Sequence, residues 1–161
     1  MTEKETQRKI LLVDDDPSSI DLISEILQKT GLEVVVAKDG EDALNKFSVN
    51  SFELILTDLM MPKMDGLALL KEIKKKEKDA VVLIITGFGT IESAVSAIKT
   101  GAYDYISKPI KVDELELVIN RALEKRRLIN QLHSLKGIFI AALISIPIWL
   151  FIGIILGWIW K

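Results

Sequence analysis

From Lys9 onward, short apolar runs alternate with longer segments whose apolar residues recur every three or four positions. The runs "KILLV" (Lys9 to Val13), "LEVVVA" (Leu32 to Ala37), "FELILT" (Phe52 to Thr57), "AVVLIIT" (Ala80 to Thr86) and "YDYIS" (Tyr103 to Ser107) are rich in β-branched and aromatic residues, as strands are. Four of the five show almost no polar alternation, which suits strands covered on both faces in a parallel sheet. Between them, "SSIDLISEILQKTG" sets Ile20, Ile23, Ile26 and Leu27 on one helical face and closes on Gly31, a C-terminal helix signal. "GEDALNKFSVN", "DGLALLKEIKKKEKD" and "TIESAVSAIKTGA" read as three more helices, and a fifth starts near Val112. The run "KKKEKD" (Lys74 to Asp79) is expected as a solvated helix end. The order is (βα)5, which right-handed crossovers wind into an α/β fold with a doubly wound parallel five-stranded sheet. Sites in such sheets lie beyond the carboxyl ends of the strands.

The pattern changes after Val112. Neither Gly nor Pro interrupts the chain from Val112 to Lys136, so the fifth helix is expected to run on as a helical stalk. Gly137 to Trp160 then carries no charged residue. At about 1.5 Å per residue this segment extends roughly 36 Å, enough for one transmembrane helix across a hydrocarbon layer of about 30 Å. The domain reading is therefore 1–127 as the α/β domain, 128–136 as stalk and 137–160 as a single membrane span. Trp149 lies in mid-span, whereas Trp158 and Trp160 sit at the far end, where aromatic anchors gather. Arg121, Lys125, Arg126, Arg127 and Lys136 precede the span and only Lys161 follows it. That asymmetry predicts a single-pass protein of the cytoplasmic (inner) membrane with its N-terminal domain in the cytoplasm and its C-terminus outside. Pro147 is expected to kink the span. Gly137, Ala141 and Ser145, then Gly153 and Gly157, place small residues four apart, and Leu128, Leu132, Leu135 and Phe139 follow heptad spacing. Both features allow a homodimer through the stalk and the membrane helix.

Charge narrows the function classes. Residues 1–136 hold all 23 acids and 20 of the 21 bases, and no basic patch points to nucleic acid. With no cysteine, disulfides and thiolate metal sites are excluded. The polar N-terminus "MTEKETQRK" lacks the apolar core of a secretory signal.

Candidate chemistry lies at the strand ends. Asp14, Asp15 and Asp16 follow the first strand, Asp58 the third, Thr86 ends the fourth and Lys108 follows the fifth, just before Pro109. In a doubly wound sheet these strands can be neighbours, so the groups converge. Carboxylates crowded in a partly buried site repel, and a hard cation relieves that repulsion. All-oxygen ligands without histidine suit Mg²⁺. A metal-held carboxylate beside an ammonium and a hydroxyl is equipped for phosphoryl transfer, with Asp58 attacking while Mg²⁺, Lys108 and Thr86 hold the phosphoryl oxygens.

The segments "LLVDDDPSS", "LILTDLMMPKMDG", "LIITGFG" and "GAYDYISKPI" resemble the four signature segments of the receiver domain of two-component response regulators, nearest in flavour to the nitrogen-regulation type. The match covers roughly Arg8 to Arg127. It implies a flavodoxin-like receiver fold, with Asp58 as phosphoacceptor, Asp15 as a direct Mg²⁺ ligand, Asp14 acting largely through water, and the Met60 backbone carbonyl as a further ligand. It also implies Thr86 as switch hydroxyl, Tyr105 as the aromatic that moves with it, and Lys108 as the phosphoryl-binding ammonium before a cis peptide to Pro109. Asp16 is not required by that pattern and is expected as a helix N-cap. Met60 and Phe88, two residues past Asp58 and Thr86, occupy positions that overhang the phosphoryl group in this family. His133 reads as an ordinary stalk residue. The implied partner is a sensor histidine kinase or a phosphotransfer protein. The implied function is a membrane-anchored single-domain response regulator, not an enzyme beyond its own phosphotransfer and dephosphorylation. It would signal by phosphorylation-dependent contact or self-pairing; the alternative is a phosphate sink or relay intermediate without direct output.

Overall fold

The computed structural model describes residues 9–87 and 89–159, with side chains described through residue 137 (Phe88 apart) and, beyond it, for Phe139 and residues 141–145. The expectations resting on Phe88, on Trp160 and Lys161, and on residues 1–8 lie outside the described residues. The described residues form two compact units, the first ending at Arg126 and the second beginning at Arg127.

In the first unit, five strands, β1 (Lys9–Val13), β2 (Glu33–Ala37), β3 (Phe52–Thr57), β4 (Val82–Thr86) and β5 (Asp104–Ser107), alternate with α1 (Pro17–Gln28), α2 (Gly40–Lys46), α3 (Gly66–Lys76), α4 (Ile91–Thr100) and α5 (Val112–Ile159). All neighbouring strands are parallel, in the order β2-β1-β3-β4-β5. This is the expected doubly wound sheet. The chain leaves β1 toward β2 on one side and returns to β3 on the other, so the sheet order reverses between β1 and β3. In such sheets ligand sites lie at that point, beyond the carboxyl ends of the strands.

The continuous apolar runs are explained by burial. Every residue of β4 is buried, as are four of five in β1 and five of six in β3. Helices α2, α3 and α4 pack side by side over one face, where Leu11, Val13, Ile55 and Ile84 meet Leu69, Leu70 and Ile73. Each fully buried aliphatic side chain here contributes about 1.5–3 kcal/mol relative to exposure. On the other side α1 and α5 are joined by Lys29 Nζ donating to Glu116 Oε1 at 2.6 Å.

One expectation is corrected. "KKKEKD" is not simply a solvated helix end, because Glu77 within it is buried. Glu77 Oε1 lies 2.7 Å from Arg126 Nη2, its Oε2 accepts from the Asn50 amide at 2.9 Å, and Arg126 Nη1 donates to the Asp79 carbonyl at 3.4 Å. Lys74 Nζ turns back onto the carbonyls of Lys78 and Ala80, and burial holds its pKa below the usual lysine value. The helix α3 therefore ends in a polar knot on the end of the sheet away from the strand carboxyl termini. The Glu77–Arg126 contact is close in distance yet not aligned as a hydrogen bond, and Arg126 Nε has no hydrogen-bond partner among the described residues.

The second unit consists of the remainder of α5. By length and composition α5 is apolar enough to cross a membrane. Leu128, Leu132, Leu135 and Phe139 are all exposed along it.

Candidate functional site

The strand ends assemble the site. The Asp58 amide donates to the Val13 carbonyl at 2.8 Å and the Asp14 amide to the Ala37 carbonyl at 3.2 Å, so pairing of β1 with both neighbours sets the two acids side by side. Single carboxylate oxygens of Asp14, Asp15 and Asp58 lie within 4.8 Å of one another. Asp14 is buried, Asp58 is 8% exposed and Asp15 is open to solvent. Such a donor set, all oxygen and wet on one side, fits a hard divalent cation that keeps part of its water shell.

Lys108 crosses to this cluster from beyond β5. Its amide donates to the Thr86 carbonyl at 2.8 Å, and its Nζ donates to Asp14 Oδ2 at 2.9 Å and to Ser19 Oγ at 2.8 Å. The peptide bond to Pro109 is cis. Thr86, fully buried, hydrogen bonds through its side chain to Asp58. Asp58 Oδ1 also accepts from the Leu59 amide at 2.8 Å. Burial nevertheless pushes the Asp58 carboxyl above the ordinary aspartate value. The Thr86 hydroxyl, the Lys108 charge and the Leu59 amide oppose the shift, and the Asp14 charge adds to it.

Asp16 behaves as the sequence suggests. It N-caps α1, accepting from the amides of Ser18 and Ser19 and from Ser19 Oγ. Ser19 was missing from the candidates. It follows Asp16 at capping distance, which explains its contact with the cap, but nothing local in the sequence marks its hydroxyl as a partner of Lys108. Tyr105 is half-buried against the core, and its hydroxyl lies 3.1 Å from Ser93 Oγ on α4. Gly89 leaves room for that ring, since a Cβ there would collide with the Tyr105 hydroxyl. Met60 is 56% exposed in the loop after Asp58.

A parallel five-stranded sheet with acids at the β1/β3 switch point, a buried threonine after β4 and a lysine after β5 defines a phosphoacceptor signalling domain. The chain belongs to the response regulator receiver domain family, whose model matches residues 10–120. It is 42% identical over 114 residues to the transcriptional regulatory protein ZraR of Escherichia coli, covering 71% of this chain and 26% of ZraR. It is 40% identical over 129 residues to the nitrogen assimilation regulatory protein NtrX of Azorhizobium caulinodans, covering 79% of this chain and 28% of that protein. The chain thus spans little more than a quarter of the length of these two curated relatives. Among solved structures, the NtrX receiver domain of Brucella abortus superposes with a TM-score of 0.67 at 46% identity, covering 71% of this chain and 98% of that domain. A receiver domain protein of Clostridium thermocellum gives 0.71 at 35% identity, covering 76% and 98%.

The raised carboxyl has a testable consequence. An acid whose folded pKa exceeds its unfolded value binds more protons when folded, so stability falls as pH rises from the ordinary aspartate range through the folded value. With no cation bound, that loss is complete once the pH lies above the folded value. Asp58→Asn is therefore expected to melt several degrees above the wild type at pH 7.5 in EDTA. Mg²⁺ should close the gap by stabilising the wild type. Calorimetry with and without the cation checks this, and a lower melting temperature for the variant in EDTA would contradict it.

Proposed function

We propose that this chain is a membrane-anchored receiver that accepts a phosphoryl group on Asp58 from a sensor histidine kinase or phosphotransfer protein. The observation that carries the reading is the convergence of Asp14, Asp15 and Asp58 with Lys108 and Thr86 at one switch point. A carboxylate oxygen of Asp58 attacks phosphorus in line; the O–P bond forms as the N–P bond of the donor phosphohistidine breaks, and the imidazole leaves with its electron pair. Lys108 and Thr86 bind the phosphoryl oxygens as charge develops on them. Asp14, Asp15, Asp58 and the Met60 carbonyl would hold Mg²⁺, which would supply positive charge to offset that of the carboxylates and the phosphoryl oxygens. Tyr105, in contact with Ser93 of α4, carries the change at Thr86 toward that helix.

The uncharged stretch from Gly137 to Trp160 supports anchoring in the cytoplasmic membrane, and the basic residues before it support a cytoplasmic domain and an external C-terminus. The exposed seam of Leu128, Leu132, Leu135 and Phe139 supports self-pairing as one output. Membranes containing the full chain, incubated with labelled acetyl phosphate, should incorporate base-labile label only with Mg²⁺, and Asp58→Asn should incorporate none. Equal labelling of that variant would overturn the assignment.

A further inference from the structure

The loop between β3 and α3 is held at both ends. At its neck the Gly66 amide donates to the Leu59 carbonyl at 2.9 Å, and the two strands of backbone pass so closely that a Cβ at Gly66 would collide with the Asp58 carbonyl. At its tip the Met64 amide donates to the Pro62 carbonyl at 2.8 Å across Lys63, whose φ is 63°. A two-residue hydrogen bond around a left-handed residue is the rare, strained form of γ-turn. Lysine gains nothing from that conformation, which glycine adopts freely. Left-handed non-glycine residues persist where the surroundings over-determine them.

The surroundings here are specific. Lys63 Nζ donates to Asp39 Oδ2 at 2.7 Å, and Asp39 is almost fully buried where it N-caps α2 and accepts from the Asp42 amide at 2.8 Å. Beside it, Gly40 lies against Met64 so closely that a Cβ would meet its side chain at 2.7 Å and its carbonyl at 2.8 Å. The Lys63 contact keeps the Asp39 carboxyl below the usual aspartate range. A loop pinched at Leu59 and Gly66 and fastened at Lys63 leaves Met60 to Pro62 little freedom, and this is the backbone directly after Asp58.

We infer that the Lys63–Asp39 ion pair is a positioning device for the cation site, holding the loop after Asp58 in the one arrangement that presents its backbone to the ion. The inference rests on the reading of Asp14, Asp15 and Asp58 as a Mg²⁺ site. Neither Lys63 nor Asp39 belongs to the carboxylate group that would hold the ion; they act through the loop.

The variant Lys63→Gly separates this role from simple stabilisation, because it relieves the turn while deleting the pair. Isothermal titration of Mg²⁺ into the full chain in lipid nanodiscs, without phosphoryl donor, should give about tenfold weaker binding for Lys63→Gly, at the lower end of what groups that orient metal ligands contribute. Its melting temperature in EDTA should stay within a few degrees of the wild-type value, because relief of the turn offsets the loss of a pair whose lysine is half exposed. Asp39→Asn, which keeps a good N-cap, should weaken binding by a similar factor. The double variant should be no weaker than either single, since both remove one interaction. Lys63→Arg should restore wild-type affinity. Wild-type Mg²⁺ affinity in Lys63→Gly or in Asp39→Asn would overturn the device while leaving the cation site intact. A wild-type chain that binds no Mg²⁺ would overturn the cation site itself, and the device with it.

Discussion

Lys108→Met is expected to slow phosphorylation of Asp58 by about 100-fold or more while tightening Mg²⁺ binding several-fold. The two effects have opposite signs because the ammonium has two neighbours. On the phosphoryl side it supplies a fixed positive charge where negative charge develops, and removing one such preorganised donor costs about 10²–10³ in rate. On the metal side its Nζ sits 2.9 Å from Asp14 Oδ2, on one of the carboxylates that would face the cation. Like charges at such separations repel by about 1 kcal/mol even at the dielectric of water, so deleting one favours the other. Initial rates with acetyl phosphate, set beside Mg²⁺ titrations of the unphosphorylated variant, read both effects. Parallel losses of rate and metal affinity would show instead that Lys108 only maintains the shape of the site. Ser19 offers a graded companion: Ser19→Ala removes the second acceptor of the ammonium, and a loss well below that of Lys108→Met is expected.

Arg126→Met is expected to destabilise the first unit by about 3 kcal/mol, because it leaves Glu77 buried without its counter-charge. For a unit of this size that corresponds to a fall in melting temperature on the order of 10 °C. Pairing it with Glu77→Leu should recover most of the loss, since replacing both partners of a buried ion pair by apolar groups is often neutral. The Asn50 amide, which loses Glu77 Oε2 in that double variant, sits at an exposed residue where water can replace the acceptor. Urea titrations of the single and double variants measure the difference. A double variant as unstable as Arg126→Met would mean that packing of the arginine stem, not charge, carries the effect.

How far each feature could be read in advance follows from how local its cause is. The strands were legible because β1, β3 and β4 are buried on both faces, which removes alternation and leaves bare apolar runs. Only their edges moved: Ala80 and Val81 belong to the turn before β4, where the Ala80 amide caps back onto the Glu77 carbonyl. Asp16 was legible as a cap because capping acts over three residues. The acids, Thr86 and Lys108 were legible as neighbours because parallel topology brings all strand carboxyl ends to one edge. Ser19, the Lys63–Asp39 pair and the Glu77–Arg126 pair were not. Each joins residues whose charges look ordinary in their own stretch, and each depends on the packing of separate elements. Glu77 stands among lysines and reads as solvent until α5 delivers Arg126 to it.

The contact between Tyr105 and Ser93 has an optical corollary. Both tyrosines lie in the first unit: Tyr105 with its hydroxyl against α4, and Tyr103 with its ring 5.0 Å beneath Lys125 Nζ. All three tryptophans, Trp149, Trp158 and Trp160, fall in the uncharged segment. Each half of the chain therefore carries its own chromophore. Indole emission, excited at the red edge of the near ultraviolet where phenol no longer absorbs, comes wholly from the apolar tail. One unlabelled sample can thus report on the apolar tail without a signal from the first unit.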